Sequence, residues 1–161
     1  RDVGPRGYGA AMTHSYSTTL SWQGSTGAGY RAYSRAHTAS AEPAAATLEL
    51  SADRAFRGDP ALLNPEQLLV MAASSCQLLS FLAVAARHGV DVLGYEDSAE
   101  GFMEESAGPM RISRIVLRPA ITVSPWTDTD EVLRLVHLAH EECYIANSLV
   151  ATVEIEPRIE M

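Results

Sequence analysis

The chain has 161 residues, a length that fits one domain with its own hydrophobic core. With 47% hydrophobic and 20% charged residues, its composition is that of a globular protein and not of a disordered one. The formal net charge of −8 argues against a nucleic-acid-binding surface and against a polybasic patch for membranes.

Targeting signals are not evident in the sequence. No run of about 18 apolar residues is present, so we predict no transmembrane span. The first residues lack the apolar region of a signal peptide, and two cysteines do not make a disulfide scaffold. We expect a cytoplasmic protein in which residues 1–11 are a tag or linker remnant and residues 12–161 form a single domain.

The N-terminal part of the chain predicts three strands. Residues 16–22, 30–39 and 47–53 are rich in Thr, Tyr and Trp or alternate between polar and apolar side chains. The first two segments flank a glycine-rich turn at 23–29, which indicates a hairpin.

A long helix is predicted at residues 65–88. Asn64 is a good cap, Pro65 suits the first helical position, and Gly89 is a good stop. The segment is apolar on nearly all sides, so we expect it to be central and buried. A homodimer that shares this helix is the simplest way to cover it.

The C-terminal half alternates again. Residues 90–104 and 110–124 predict a long antiparallel hairpin, joined by "ESAGP". The segment from Thr127 predicts a helix, because apolar residues recur with helical spacing at Val132, Leu135, Val136 and Ala139. Residues 149–157 predict a closing strand. The order of elements favours an α+β fold with antiparallel sheet and two helices.

The two cysteines are the candidate catalytic residues. Cys76 lies in the apolar stretch "MAASSCQLLSF" and Cys143 lies near the end of the second helix. A cysteine among alanines is often an inert core residue. It becomes a nucleophile when an adjacent cation lowers its pKa, and Arg35, Arg54 and Arg57 are the candidates for that cation.

The residues near Cys143 are also a candidate metal site. His137, His140 and Cys143 fall near one helix face and could bind a metal with Glu141 or Glu142, but the spacing fits no common zinc signature. Neither a glycine-rich phosphate loop nor a dinucleotide fingerprint is present. The sequence thus predicts neither a metal nor another bound cofactor.

Several segments together resemble the OsmC/Ohr family of thiol peroxidases. "LNPEQLLVMAASSCQLLSFL" (63–82) is similar to the family's first-cysteine helix, and "AHEECYIANSL" (139–149) is similar to its second-cysteine segment. "ISRIVLRPAITV" (112–123) and the "SW.G" turn at 21–24 also match in place and order. The resemblance covers nearly all of residues 13–158.

The resemblance implies a fold and a reaction. The fold has antiparallel sheets wrapped around two long central helices in an intertwined homodimer. Cys76 reduces organic hydroperoxides, with hydrogen peroxide left open, and becomes a sulfenic acid. It then forms a disulfide with Cys143, which an external dithiol reopens.

The resemblance also implies which charged residues serve the thiol. Arg57 is favoured because the OsmC group takes its arginine from just before the "NPE" segment, and Arg54 is a near alternative in the same stretch. The Ohr group takes its arginine from the first hairpin, which leaves Arg35 open. Glu66 is expected to bond the arginine and to serve Cys76 of a partner chain, although it could simply stabilise the helix N-terminus.

Two rival interpretations stay open. The first is a thiol protein of this fold that lacks peroxidase turnover and binds an apolar small molecule. The second is a structural dimer whose cysteines are inert. Formation of a Cys76–Cys143 disulfide by peroxide distinguishes the peroxidase from both.

Overall fold

The computed structural model describes residues 13–104 and 108–161, and the predicted tag or linker lies outside them. The helices in the described residues are α1 (Pro65–Arg87), α2 (Thr129–Glu141) and α3 (Tyr144–Ser148). The strands there are, in chain order, β1 (Thr19–Ser21), β2 (His37–Ser40), β3 (Thr47–Leu50), β4 (Val92–Asp97), β5 (Glu100–Phe102), β6 (Arg114–Leu117), β7 (Pro119–Val123), β8 (Thr152–Ile155) and β9 (Arg158–Glu160). The α+β class predicted from the sequence is confirmed.

Helix α1 begins at the predicted residue and ends one residue before the predicted end. Asn64 and Gln67 form a reciprocal cap, in which Asn64 Oδ1 accepts the Gln67 N–H at 2.8 Å and Gln67 Oε1 accepts the Asn64 N–H at 3.0 Å. Gly89 follows the helix at φ 72°, a left-handed conformation that glycine adopts without strain. The local sequence therefore fixes both ends of this helix.

The composition of α1 predicts that it is buried on all sides, and within one chain this prediction is wrong. The buried residues form a single stripe, Ala73, Gln77, Phe81, Val84 and Ala85. Other apolar side chains of the helix are exposed, among them Leu79 at 64%. Within the described residues α1 packs against α2, α3, β4 and β5, and these elements do not cover its whole surface.

By length and composition alone, α1 could cross a membrane, although the sequence had predicted no such segment. This is weak evidence, because the core helix of a globular protein passes the same test. Its buried stripe packs against α2 and β7 in the larger core, while 28% of its most apolar window is buried inside the chain.

The predicted hairpin of residues 90–104 and 110–124 forms as two strand pairs. β4 pairs antiparallel with β7, and β5 pairs antiparallel with β6. The break falls at Arg118, whose backbone N–H donates to Asp97 Oδ1 at 2.7 Å instead of to a strand. Pro119 follows and has no N–H to donate. Residues 105–107 of the connection lie outside the described residues.

The C-terminal segment departs from the prediction of one closing strand in an antiparallel sheet. It forms two strands, β8 and β9, and these run parallel to β6 and β7. The sheets β4–β7–β9 and β5–β6–β8 are therefore mixed. Parallel pairing needs a long crossover, and α2 with α3 provides it.

The predicted hairpin forms as β1 and β2, and β3 joins it to make an antiparallel sheet, but the strands are shorter than predicted. Residues 30–36 form turns and loop, not strand. The side chain of Arg35 bonds to carbonyl groups of this loop, which holds it in a compact shape instead of an extended one.

Two hydrophobic clusters form the core. The larger one joins α1, α2 and β7 around Phe81, Ile121 and Leu135, each at 0% exposure. The smaller one packs Ala73 of α1 against β6. Burying a side chain such as Phe81 stabilises the fold by about 1.5–3 kcal/mol, so these clusters hold the middle of α1 in place.

Candidate functional site

The half-buried thiol of Cys76 lies in the middle of α1. Its Sγ accepts a hydrogen bond from the backbone N–H of Ile145 at 3.4 Å. Ile145 belongs to the first turn of α3, which packs against α1. The sulfur of Cys76 is thereby held at the start of α3.

Cys143 is the N-cap residue of α3 and is 1% exposed. Helix α2 stops just before it, so the predicted second helix is broken here in two. Burial raises the pKa of the Cys143 thiol to about 11, and the adjacent side chain of Cys76 contributes to the rise. The backbone N–H groups of Ala146 and Ile145 act in the opposite direction.

The structure therefore brings the two cysteines together at the first turn of α3. Both are free thiols, and the N–H of Ile145 interacts with both sulfurs. Two neighbouring thiols, one half-buried and one fully buried, can form a disulfide if the first is oxidised.

A separate cavity of about 400 Å³ contains two of the predicted charged residues, Arg35 and Glu66. It lies between the N-terminal sheet and the start of α1, and its other walls are largely aromatic or apolar, including Trp22, Tyr33 and Phe56. We call it the Arg35–Glu66 cavity. It places a cation and a carboxylate at the edge of an apolar space.

Arg35 is held in this cavity by its own loop. Its guanidinium donates to the carbonyl oxygens of Tyr33 at 2.9 Å and Tyr30 at 2.7 Å. It also stacks on both tyrosine rings, with its central carbon 4.2 and 4.6 Å from their centroids. Such stacking on two rings fixes a planar cation.

Glu66 lies in the first turn of α1, and its Oε2 atom is buried. Among the described residues, no donor lies within hydrogen-bond distance of that oxygen. In the continuous helix α1, Glu66 and Cys76 are about 15 Å apart along the axis. Glu66 and Arg35 thus line one cavity, but the described residues show no hydrogen bond or ion pair between them, so the expected bond between Glu66 and the arginine is not seen within one chain.

Arg54 and Arg57 are both exposed. Arg57 ends a short 3-10 turn in a left-handed conformation, φ 67°, and its N–H donates to the Arg54 carbonyl at 3.0 Å. Neither arginine lines the Arg35–Glu66 cavity.

The two histidines near Cys143 differ in their exposure. His137 is exposed, whereas the Nδ1 atom of His140 is buried and burial lowers the pKa of its ring. In residues 13–104 and 108–161, no group of three or more His, Cys, Asp or Glu side chains is placed to hold a metal ion.

Sequence reasoning missed a polar cluster between α1 and β4. Ser74 donates to Asp97 Oδ2 at 2.5 Å, and both residues line a second cavity of about 960 Å³ together with Tyr95. The cavity wall is mixed: it includes Met71, Met103 and Met110 and also carboxylates, among them Glu66, which therefore lines both cavities. The only sequence signal is the spacing of Tyr95 and Asp97, which places them on one strand face.

Comparison with known proteins gives consistent matches. The family model described as OsmC-like protein matches residues 58–158. An OsmC-like protein of unknown function from Vibrio cholerae is 31% identical, with a TM-score of 0.80 over 90% of this chain and 99% of that one. An organic hydroperoxide resistance protein, OsmC, from Legionella pneumophila shares the fold at 17% identity, with a TM-score of 0.65 over 93% of this chain and 99% of that one.

A curated relative is more distant. The uncharacterized protein YmaD of Bacillus subtilis is 24% identical over 96 residues, which are 58% of this chain. The match spans 64% of that protein, slightly less than two thirds of its length.

Proposed function

Since this chain belongs to the OsmC-like protein family, we propose that it is a cysteine-based peroxidase that reduces organic hydroperoxides. The observation that carries the proposal is the meeting of Cys76 and Cys143 at the first turn of α3. The half-buried Cys76 is the thiol that a substrate reaches, and the buried Cys143 is placed to close a disulfide with it.

The first step is attack by the Cys76 thiolate on the outer oxygen of the hydroperoxide. The O–O bond breaks, the alkoxide takes a proton and leaves as an alcohol, and Cys76 becomes a sulfenic acid. Cys143 then attacks the sulfur of Cys76, and hydroxide leaves as water. An external dithiol reduces the disulfide by exchange, so no bound cofactor is needed.

Arg35 is our choice for the cation that activates the thiol. It shares a cavity with Glu66, the carboxylate implied by the family resemblance, whereas Arg57 is exposed. The apolar and aromatic walls of that cavity suit a substrate with an alkyl or aryl group.

Glu66 and Arg35 would serve Cys76 of a second copy of the chain. Glu66 is too far along α1 to serve its own Cys76, and α1 has an exposed apolar face that a second copy can cover. We therefore propose a homodimer in which each site combines Cys76 of one copy with Arg35 and Glu66 of the other.

Thiol chemistry is tested with the single cysteine variants. A stoichiometric amount of cumene hydroperoxide should give the Cys76–Cys143 disulfide in the wild type, as seen by mass spectrometry under non-reducing conditions. Cys143→Ser should accumulate a sulfenic acid on Cys76 that dimedone traps. If the sulfenic acid instead appears on Cys143 in Cys76→Ser, the two roles are reversed.

Sharing of the site is tested by mixing subunits. Cys76→Ser and Glu66→Ala proteins are each expected to be nearly inactive. After exchange, the heterodimer has one site lacking both residues and one intact site, so activity should return to a fraction of the wild-type value. Failure to recover activity after verified exchange would exclude Glu66 from a site shared in this way.

The second cavity favours an alternative function, a thiol protein of this fold that binds an apolar molecule without turnover. Its volume of about 960 Å³ is large enough for such a ligand. Absence of the peroxide-induced disulfide, together with saturable binding of a fluorescent fatty acid, would favour this alternative.

A further inference from the structure

The segment "SWQG" (21–24) contains a close contact between two of its own residues. Trp22 directly follows β1, and its side chain lines the Arg35–Glu66 cavity. A Cβ atom added at Gly24 would lie 2.7 Å from Cζ2 of the indole ring, closer than real Cβ atoms come to another heavy atom. Glycine at position 24 therefore leaves room for the indole of Trp22 to lie against the backbone.

The indole of Trp22 also reaches the loop that carries Arg35. Its Nε1–H donates to the carbonyl oxygen of Ser34 at 2.8 Å. Its ring packs nearly perpendicular to the ring of Tyr33, with centroids 6.1 Å apart and an interplanar angle of 83°. The strand pairing of β1 with β2 ends before Trp22, so both contacts lie beyond the sheet. Trp22 thus ties the end of β1 to the middle of the loop.

Tyr33 is the residue on which the guanidinium of Arg35 rests. Its carbonyl oxygen accepts from Nη1 at 2.9 Å, and its ring centroid lies 4.2 Å from the central carbon of the guanidinium. Arginine has five N–H donors, and the carbonyl groups of Tyr33 and Tyr30 use two of them. This arrangement orients the cation and leaves three N–H groups for other partners.

The tyrosine contacts do not by themselves place the loop. Tyr30, Tyr33 and Arg35 belong to the same loop, so their mutual contacts make it compact without fixing it relative to β1. On the β2 side, Nδ1 of His37 lies 2.8 Å from the carbonyl oxygen of Arg35. Trp22 supplies the corresponding contacts on the β1 side. Placement matters for catalysis, because a shift of about 1 Å can cost about a hundredfold in rate.

We propose that Trp22 is a positioning residue for Arg35. It acts through Tyr33 and Ser34, which it contacts directly. Without its indole the guanidinium keeps its charge but spends less time in the orientation that the structure shows. The effect on the reaction rests on the proposed function, in which Arg35 activates Cys76 of a second copy. Trp22 then contributes to the reaction only as far as Arg35 does.

The position of Arg35 is measured without peroxide by its reaction with phenylglyoxal, which modifies guanidinium groups and is mapped by mass spectrometry. Trp22→Leu removes both the N–H and the aromatic ring. Arg35 should then react about fivefold faster than in the wild type, the effect expected for the loss of one neutral hydrogen bond. The exposed Arg57 is the internal reference and should react at an unchanged rate. Trp126→Leu is the matched control, because this second tryptophan is 97% exposed, and it should leave the modification of Arg35 unchanged.

The consequence for the reaction is measured as the rate of cumene hydroperoxide reduction with dithiothreitol in excess. Trp22→Leu should lower this rate by about fivefold when Arg35 is present. In the Arg35→Ala background the same substitution should have no further effect, because no guanidinium is left to position. This double-mutant cycle separates positioning from a general loss of structure, which would slow both backgrounds alike.

Trp22→Phe keeps the test available if Trp22→Leu does not fold, because it retains an aromatic ring and has no N–H. It should raise the modification of Arg35 by a smaller factor. The proposal is overturned if Arg35 reacts with phenylglyoxal at the wild-type rate in both variants, or if Trp22→Leu slows peroxide reduction equally with and without Arg35. If Trp22→Leu exposes Arg35 to the reagent while Arg35→Ala reduces peroxide at the wild-type rate, the positioning stands and the activation of Cys76 by Arg35 is refuted.

Discussion

The body of the molecule, formed by the helices and by β4 to β9, fills its core from its own chain, whereas the N-terminal sheet of β1 to β3 does not. Phe81, Ile121 and Leu135 in the body are at 0% exposure. Strand β1 is exposed along its whole length, and its Leu20 is 63% exposed.

The candidate catalytic residues are divided between these two regions. The thiol pair lies in the body, where α1 and α3 position both sulfurs without the N-terminal sheet. Arg35 lies in the loop before β2, and the Arg35–Glu66 cavity lies between that sheet and the start of α1. The groups that react are thus on the self-sufficient part, and the cation proposed to activate them is on the part that its own chain leaves uncovered.

The largest expected effect is the difference in stability between a substitution in the core of the body and one in the N-terminal sheet. Phe81→Ala should lower the free energy of unfolding by about 3–5 kcal/mol, because it removes a fully buried ring from the body. Leu20→Ala should lower it by about 0.5 kcal/mol or less, since exposed sites have small effects. Urea unfolding in dilute solution measures both. A cost above about 2 kcal/mol for Leu20→Ala would show that a second chain buries the sheet.

The second effect concerns the arginines. Arg35→Ala should lower the rate of cumene hydroperoxide reduction by about a hundredfold, the size expected when a group that stabilises a charged reacting atom is removed. Arg57→Ala is the control and should reduce it by less than about threefold, because that side chain is exposed. The opposite pattern would transfer the role to Arg57, the arginine that the sequence resemblance favours.

The third effect is a loss of stability at alkaline pH that originates in the body. The pKa of Cys143 rises from 9.0 to about 11 on folding, so between these values the folded state binds more protons than the unfolded state. Stability is therefore fully present below pH 9.0 and falls as the pH rises towards about 11, by on the order of 2 kcal/mol. Cys143→Ser removes the group, and its urea midpoints should lack this part of the decline; an identical decline would refute the assignment.

The smallest effect lies where the two regions join. Asn64→Ala removes the cap of α1 and should cost about 1 kcal/mol in the free energy of unfolding. Since the first turn of α1 holds Glu66, the same variant should also weaken peroxide reduction. Ser148→Ala, at the exposed end of α3, is the control for stability. Equal unfolding midpoints for Asn64→Ala and the wild type would mean that the N-terminal contacts, not the cap, hold this end of the helix.

The sequence predicted those features that depend on interactions between residues close together in the chain. The ends of α1 follow from Asn64, Pro65 and Gly89, whose preferences act over a few residues. The pairing of residues 90–104 with 110–124 follows from their alternation, and the family resemblance rests on segments around the two cysteines. The break at Arg118 was not visible, because it depends on Asp97 accepting the N–H that would otherwise pair in a strand.

The sequence by itself determined the α+β class, the long helix with Cys76 and the candidate set of arginines, because these depend on residue type and periodicity along the chain. Only the tertiary structure decided that Cys76 and Cys143 meet at α3 and that Arg35, not Arg57, shares a cavity with Glu66. Distances between residues far apart in the chain are set by how the helices and sheets pack, and no local pattern encodes them.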